Sequence, residues 1–130
     1  GLTGCFQQDA VIDTVYAASD ALAEGSAVAM RYAGKTIGTD SILAAVGGDR
    51  SSLDMVKGGL MGAVATPRFP GMGALAVQSI AGIAKDGVPP VQPGEKGYID
   101  IGVDICTDFP QSAVNVAIQV PVQECLDRLR

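Results

Sequence analysis

Three short segments of this 130-residue chain put hydroxyl, carboxylate and guanidinium groups where an apolar run gives way to a turn. They are Ala18-Ser19-Asp20, Gly38-Thr39-Asp40 and Ala65-Thr66-Pro67-Arg68. Carboxylates accept from adjacent hydroxyls, Ser and Thr both donate and accept, and Arg donates through a planar fork. A hydroxyl-rich ligand needs such groups to converge, so Ser19, Asp40, Thr66 and Arg68 are the candidate ligand-binding residues. Each also has a structural reading. Ser19 or Asp20 can cap the helix that follows, Asp40 can open a weaker helix, and Arg68 can be a solvated loop charge.

Other chemistry is poorly supplied. There is no histidine, and the three cysteines, Cys5, Cys106 and Cys125, form no Cys-x-x-Cys pair. The commonest zinc sites and the Ser–His and Cys–His nucleophile pairs are therefore excluded. Gly71-Met72-Gly73 lacks the lysine and spacing of a phosphate loop, and no dinucleotide fingerprint follows a strand. Asp100 and Asp104 read as the wet face of a strand, not as a glycosidase pair. Neither an enzyme nor a cofactor or metal is expected.

The elements that must position the candidate residues follow from patterning. The chain is 48% hydrophobic and 5% aromatic, enough apolar material for a core built with small side chains. Residues 9–20 read as a strand running into a turn, and 21–33 as a helix with Leu22, Ser26, Ala29, Met30 and Ala33 inward. Gly34 stops that helix. Residues 35–40 read as a short strand ending in Asp40, and 41–46 as a helical turn or loop broken by Gly47-Gly48-Asp49. Ser51 and Asp54 form a capping pattern for a helix that stops at Gly58-Gly59. Residues 60–66 form a strand, 67–70 a rigid non-helical link, and 71–86 a helix with Met72, Ala76, Ile80 and Ile83 inward. After a loop at 87–97, residues 98–106 alternate as a strand. Residues 113–122 read as extended, and 123–130 as a short tail or helix.

Alternating strands and helices predict an α/β fold, a three-layer mostly parallel sheet with helices on both faces. Ligands of open α/β sheets bind at the carboxyl ends of the strands, so Ser19, Asp40 and Thr66 are expected on one edge. The net charge of −5, without a basic cluster, excludes a nucleic-acid partner. No apolar run approaches the ~20 residues that span a bilayer. Cys106 and Cys125 either form one disulfide in an oxidising compartment or stay as buried thiols. Pro110 and Pro121 favour an irregular return that brings the two within reach, and a Cα separation beyond about 7 Å excludes the bond.

The order of motifs resembles the ribose/galactose-type (type I) periplasmic binding proteins, the solute receptors of sugar-importing ABC transporters. The matching stretches are VYAASDALAEGSAVAMRYAGK at 15–35, the Gly-x-Asp strand end within 37–41, the helix at 53–59, and Ala63–Pro70. Met72-Gly73 and YIDIGVDICTD at 98–108 complete them, so the resemblance covers about 9–108. It implies that Ser19 contacts sugar hydroxyls, that Asp40 accepts from them, and that Thr66 or Arg68 touches ligand at a hinge. It implies a sugar or polyol ligand, a membrane permease as partner of the full-length protein, and a periplasmic location.

In that family two lobes clamp the ligand. Two strand–helix units precede the strand at 11–18, where only Cys5-Phe6-Gln7-Gln8 resembles the helix of the first. The helix at 71–86 belongs there to the other lobe. The chain is therefore expected to be a partial, C-terminal-lobe-like domain over 1–130, with exposed sheet edge that favours self-association. Two alternatives are the effector-binding domain of a LacI-like transcription repressor, which shares the fold, and a small flavodoxin-like α/β enzyme.

Overall fold

The computed structural model describes residues 1–8, 11–87, 101–108 and 119–129. The chain divides into two compact units. One comprises Gly1–Thr66 with Asp104–Arg130, the other Pro67–Val103.

The first unit opens with α1 (Leu2–Gln8), which buries Phe6. Strand β1 (Thr14–Ala17) leads into α2 (Asp20–Tyr32), whose N-cap is Ser19. The Ser19 side chain accepts from the Leu22 amide at 3.3 Å, satisfying one of the donors that a helix start leaves open. Helix α2 buries Ala23, Ala27 and Met30, one side chain per turn, while Leu22 is 57% exposed. The inward face is thus turned by about one residue from the expected one. Ala23 and Ala27 let α2 approach β1 and β2 closely, which a leucine at that place would prevent.

The second strand is a correction. Residues 35–40 are not a strand; β2 is Ile42–Val46. Thr36–Asp40 is a turn, in which the Asp40 amide donates to the Thr36 carbonyl at 2.8 Å. Gly38 takes a φ of 87°, which an extended strand cannot include. Helix α3 (Arg50–Lys57) follows. Its N-cap is Asp49, not Ser51: the Asp49 carboxylate accepts from the Ser52 amide at 2.9 Å. Strand β3 (Ala63–Pro67) closes the run.

Strands β1, β2 and β3 are parallel, with Thr14 beside Ile42 and Val46 beside Ala65. The chain returns through β4 (Val103–Cys106) and β5 (Gln119–Val120), which are parallel to each other. The sheet order is β1-β2-β3-β4-β5. Thr107, just past β4, donates its hydroxyl to the carbonyl of Gly62, just before β3, at 2.8 Å. Strand β4 therefore ends where β3 begins, and the sheet is mixed. Helix α5 (Val122–Asp127) packs on α3.

The core lies on one face of the sheet, where Val15, Ala17, Leu43, Ala45 and Val64 meet Met30, Leu53 and Val56 of α2 and α3. On the opposite face Tyr16 is 66% and Ile42 47% exposed, so the expected second helical layer is not among the described residues. Cys106 and Cys125, both buried, are joined by a disulfide with Cα atoms 6.2 Å apart. Asp104 is a further correction. It lies on the buried side of β4, not on a wet face, and its carboxylate accepts from the Arg128 guanidinium at 2.8 Å. Asp100 lies outside the described residues.

In the second unit, α4 (Phe69–Asp86) begins two residues earlier than the sequence predicts, with Pro70 in its first turn, where a missing N–H costs nothing. It stops at Gly87, whose φ is 74°. Met72, Ile80 and Ile83, expected inward, are 46%, 68% and 53% exposed.

Candidate functional site

The carboxyl ends of β1, β2 and β3 lie side by side, as the parallel register requires. β1 ends before Ser19 and Asp20, β2 before Gly47-Gly48-Asp49, and β3 carries Thr66 near its end. Two of the predicted residues, Ser19 and Thr66, are therefore brought to one edge. The Asp20 carboxylate reaches from the β1 turn to the β2 turn and accepts from the Gly48 amide at 2.9 Å and the Asp49 amide at 3.4 Å. The Gly47 amide donates to the Ala65 carbonyl at 3.0 Å, tying the β2 turn to β3. Gly48 packs directly on the Thr66 side chain, where a Cβ would overlap it. Because Cys106 is oxidised, the Thr66 hydroxyl is the donor in its 3.4 Å contact with the Cys106 sulfur.

Asp40 is not part of this edge. It precedes β2, so it lies at the amino end of the strands, opposite Ser19. Its carboxylate closes its own turn by accepting from the Thr36 amide at 2.8 Å. That bond and the Thr36 hydroxyl hold the carboxyl below the usual aspartate range against the opposing effect of desolvation, with a smaller lowering from the charge of Lys35. The misplacement has the same cause as the misread strand: the strand end is at 46, not 40. The acidic residue that follows β2 is Asp49, and it is exposed. Its signal was present, since Ile42–Val46 is a continuous apolar run stopped by two glycines.

Asp40 has a consequence for stability. Its folded pKa is lowered, so the unfolded chain binds its proton more tightly. The contribution is present above the ordinary aspartate value of about 4 and is lost as pH falls through the lower folded value. Asp40→Ala is expected to lower Tm at pH 7, with the gap to wild type closing in acid. A gap that stays constant down to the acid limit would show that the Thr36–Asp40 bond does not form.

Arg68 belongs to the second unit, where its guanidinium lies beside Gly102. The first unit also holds a groove of about 240 Å³ away from the candidate edge, lined by Gly38, Ile42, Val56, Lys57, Met61 and Asp108 among others. Its charged groups are already engaged. Lys57 donates to Gln123 at 2.7 Å, and Asp108 accepts from the Val122 amide at 3.1 Å. No His, Cys, Asp and Glu cluster among the described residues could hold a metal ion. No helix among them is long and apolar enough to cross a membrane.

What the edge offers is thus a set of hydroxyl and carboxylate oxygens on turns that are hydrogen-bonded to one another. The fold of the chain is similar to that of solved proteins. A galactofuranose-binding protein superposes over 98% of this chain and 38% of its own, with a TM-score of 0.74 and 18% identity. The chain has a partial periplasmic-binding-protein-like fold. A substrate-binding protein of a sugar ABC transport system from Bordetella parapertussis 12822 covers 87% of this chain and 36% of its own, with a TM-score of 0.67 and 18% identity. A structure from Mycobacterium smegmatis covers 80% and 33%, with a TM-score of 0.56 and 22% identity. The chain therefore spans between a third and two fifths of the length of these solved chains. No protein-family model matches the sequence, and no curated protein does.

Proposed function

We infer that the chain is a sugar- or polyol-binding portion of an ABC-type importer's solute receptor, acting by binding alone in an extracytoplasmic, periplasmic setting. The observation that carries this reading is the joined carboxyl edge of β1, β2 and β3, with Ser19, Asp49 and Thr66 presented together. Hydroxyl and carboxylate groups of this kind can donate to and accept from sugar hydroxyls. A buried disulfide supports an oxidising compartment. Two neighbours of like fold, a galactofuranose-binding protein and the substrate-binding protein of a sugar ABC transport system, support carbohydrate as the ligand and a transporter permease as the partner. Asp40 is not proposed as a ligand group, because it faces the other edge; Arg68 is left outside the site for want of a place on this unit.

The chain taken alone should bind weakly. One edge supplies only part of a sugar's hydrogen bonds, and each is worth little while water reaches the ligand. NMR titration with galactose, ribose, xylose and a polyol is expected to move the amides of Ser19, Asp20, Gly47, Gly48, Asp49 and Thr66, with millimolar affinity. Micromolar binding by the monomer would show a complete site. Unmoved amides at saturating sugar would remove the sugar-binding reading.

A further inference from the structure

The amides of Gly47, Gly48 and Asp49 lie between the end of β2 and the first turn of α3. In α/β folds such a run of donors, backed by a helix start, receives anionic groups. Here every one of these donors is already taken. The Gly47 amide goes to the Ala65 carbonyl, and the Gly48 and Asp49 amides go to the two oxygens of Asp20. The Asp20 carboxylate stands where an external anion would stand. The fit is tight, since a Cβ on Gly47 would overlap that carboxylate. Beside it, the single Ser51 hydroxyl proton lies between the Glu24 and Asp49 carboxylates and can serve only one of them at a time, so the surroundings add negative charge rather than compensate it.

We propose that Asp20 is a positioning and specificity-determining residue. Its carboxylate fills the amide cradle of the β2–α3 turn, fixes Asp49, and closes this edge to anionic ligands, leaving it to neutral hydroxyl-bearing ones. The ligand half of this proposal rests on the sugar-binding reading; the cradle half does not.

The test uses Asp20→Ala and Asp20→Asn, read by amide exchange and chemical shift, with formate and inorganic phosphate as probes. Without the carboxylate, the Gly48 and Asp49 amides should exchange about tenfold faster or more. Formate, but not chloride at equal ionic strength, should return their resonances in Asp20→Ala toward wild-type positions. A side chain that only fills space would give no such rescue. Phosphate should shift the same two amides in Asp20→Ala and leave them unmoved in wild type. Asp20→Asn keeps the size and one oxygen acceptor, so it should fold even where the alanine variant does not. It should protect Gly48 while Asp49 exchanges faster. Phosphate shifts in wild type, absence of formate rescue, or wild-type exchange at both amides of Asp20→Asn would overturn the proposal. Formate rescue together with failed sugar titrations would remove the sugar reading alone.

Discussion

Replacing Cys106 and Cys125 together by alanine is expected to cost about 3 kcal/mol of unfolding free energy, the scale for a cross-link closing a loop of this order. The two residues are 19 apart in sequence and lie in different elements, β4 and α5. Uncrosslinked, the segment between them adds conformational freedom to the unfolded chain, and α5 is held to the sheet by packing, by the Arg128–Asp104 ion pair and by the Val122 amide donating to Asp108. That packing is real, because Val122, Cys125 and Leu126 are all buried, so the variant should still fold. For a chain of this size the loss corresponds to a fall of about 10 °C in Tm. Urea unfolding of the variant beside oxidised and reduced wild type makes the comparison. The variant should match reduced wild type. A variant as stable as the oxidised protein would contradict the assignment of the bond as a stabilising link.

Gly48→Ala should be nearly as damaging, by about 2–4 kcal/mol, from strain in the left-handed region plus overpacking. The Gly48 φ is 103°, and a Cβ there would lie on the Thr66 side chain. The chain can relieve the overlap only by moving the β2 turn away from β3, which also pulls the Gly48 and Asp49 amides from Asp20. Stability and ligand response should therefore fall together. Gly59→Ala is the control. Its φ is 72°, but nothing lies within 4 Å of the added carbon. It should cost only about 1–2 kcal/mol and leave sugar-induced amide shifts unchanged. Equal losses in the two variants would mean that contact with Thr66 is not what makes Gly48 necessary.

The sequence carried the start of the fold clearly and its middle poorly. The Ser19-Asp20 pair before a small-residue helix is a strong start signal, and α2 begins there. The second strand is easily missed because Ile42–Val46 is short and two of its five residues are alanine, while KTIGTD carries β-branched residues that favour strands. That one shift moved the expected acidic residue from Asp49 to Asp40 and so to the wrong edge. Alternation in residues 103–106 does mark a strand. It could not reveal that Asp104 is buried, because its partner Arg128 lies 24 residues away on another element. The role of Asp20 was equally hidden. A residue at a helix start reads as a cap, whereas the bond to Gly48 spans 28 residues and forms only once β1 and β2 are paired. The disulfide stayed one of two options until the distance between the cysteines was known. The family resemblance rested on the order of weak motifs, and the neighbours found by structure share that fold at only 18–22% identity.

Ligand is expected to meet the carboxyl edge of β1–β3 and not the amino edge. The most direct measurement is a paired sugar titration of Asp49→Asn and Asp40→Asn beside wild type. Asparagine caps a helix about as well as aspartate, so Asp49→Asn removes a carboxylate acceptor while keeping the start of α3. Asp49→Asn is expected to weaken the response about tenfold, the scale of one hydrogen bond to a charged group, and Asp40→Asn to leave it at the wild-type level. Binding that survives Asp49→Asn and is lost in Asp40→Asn would contradict that placement of the ligand.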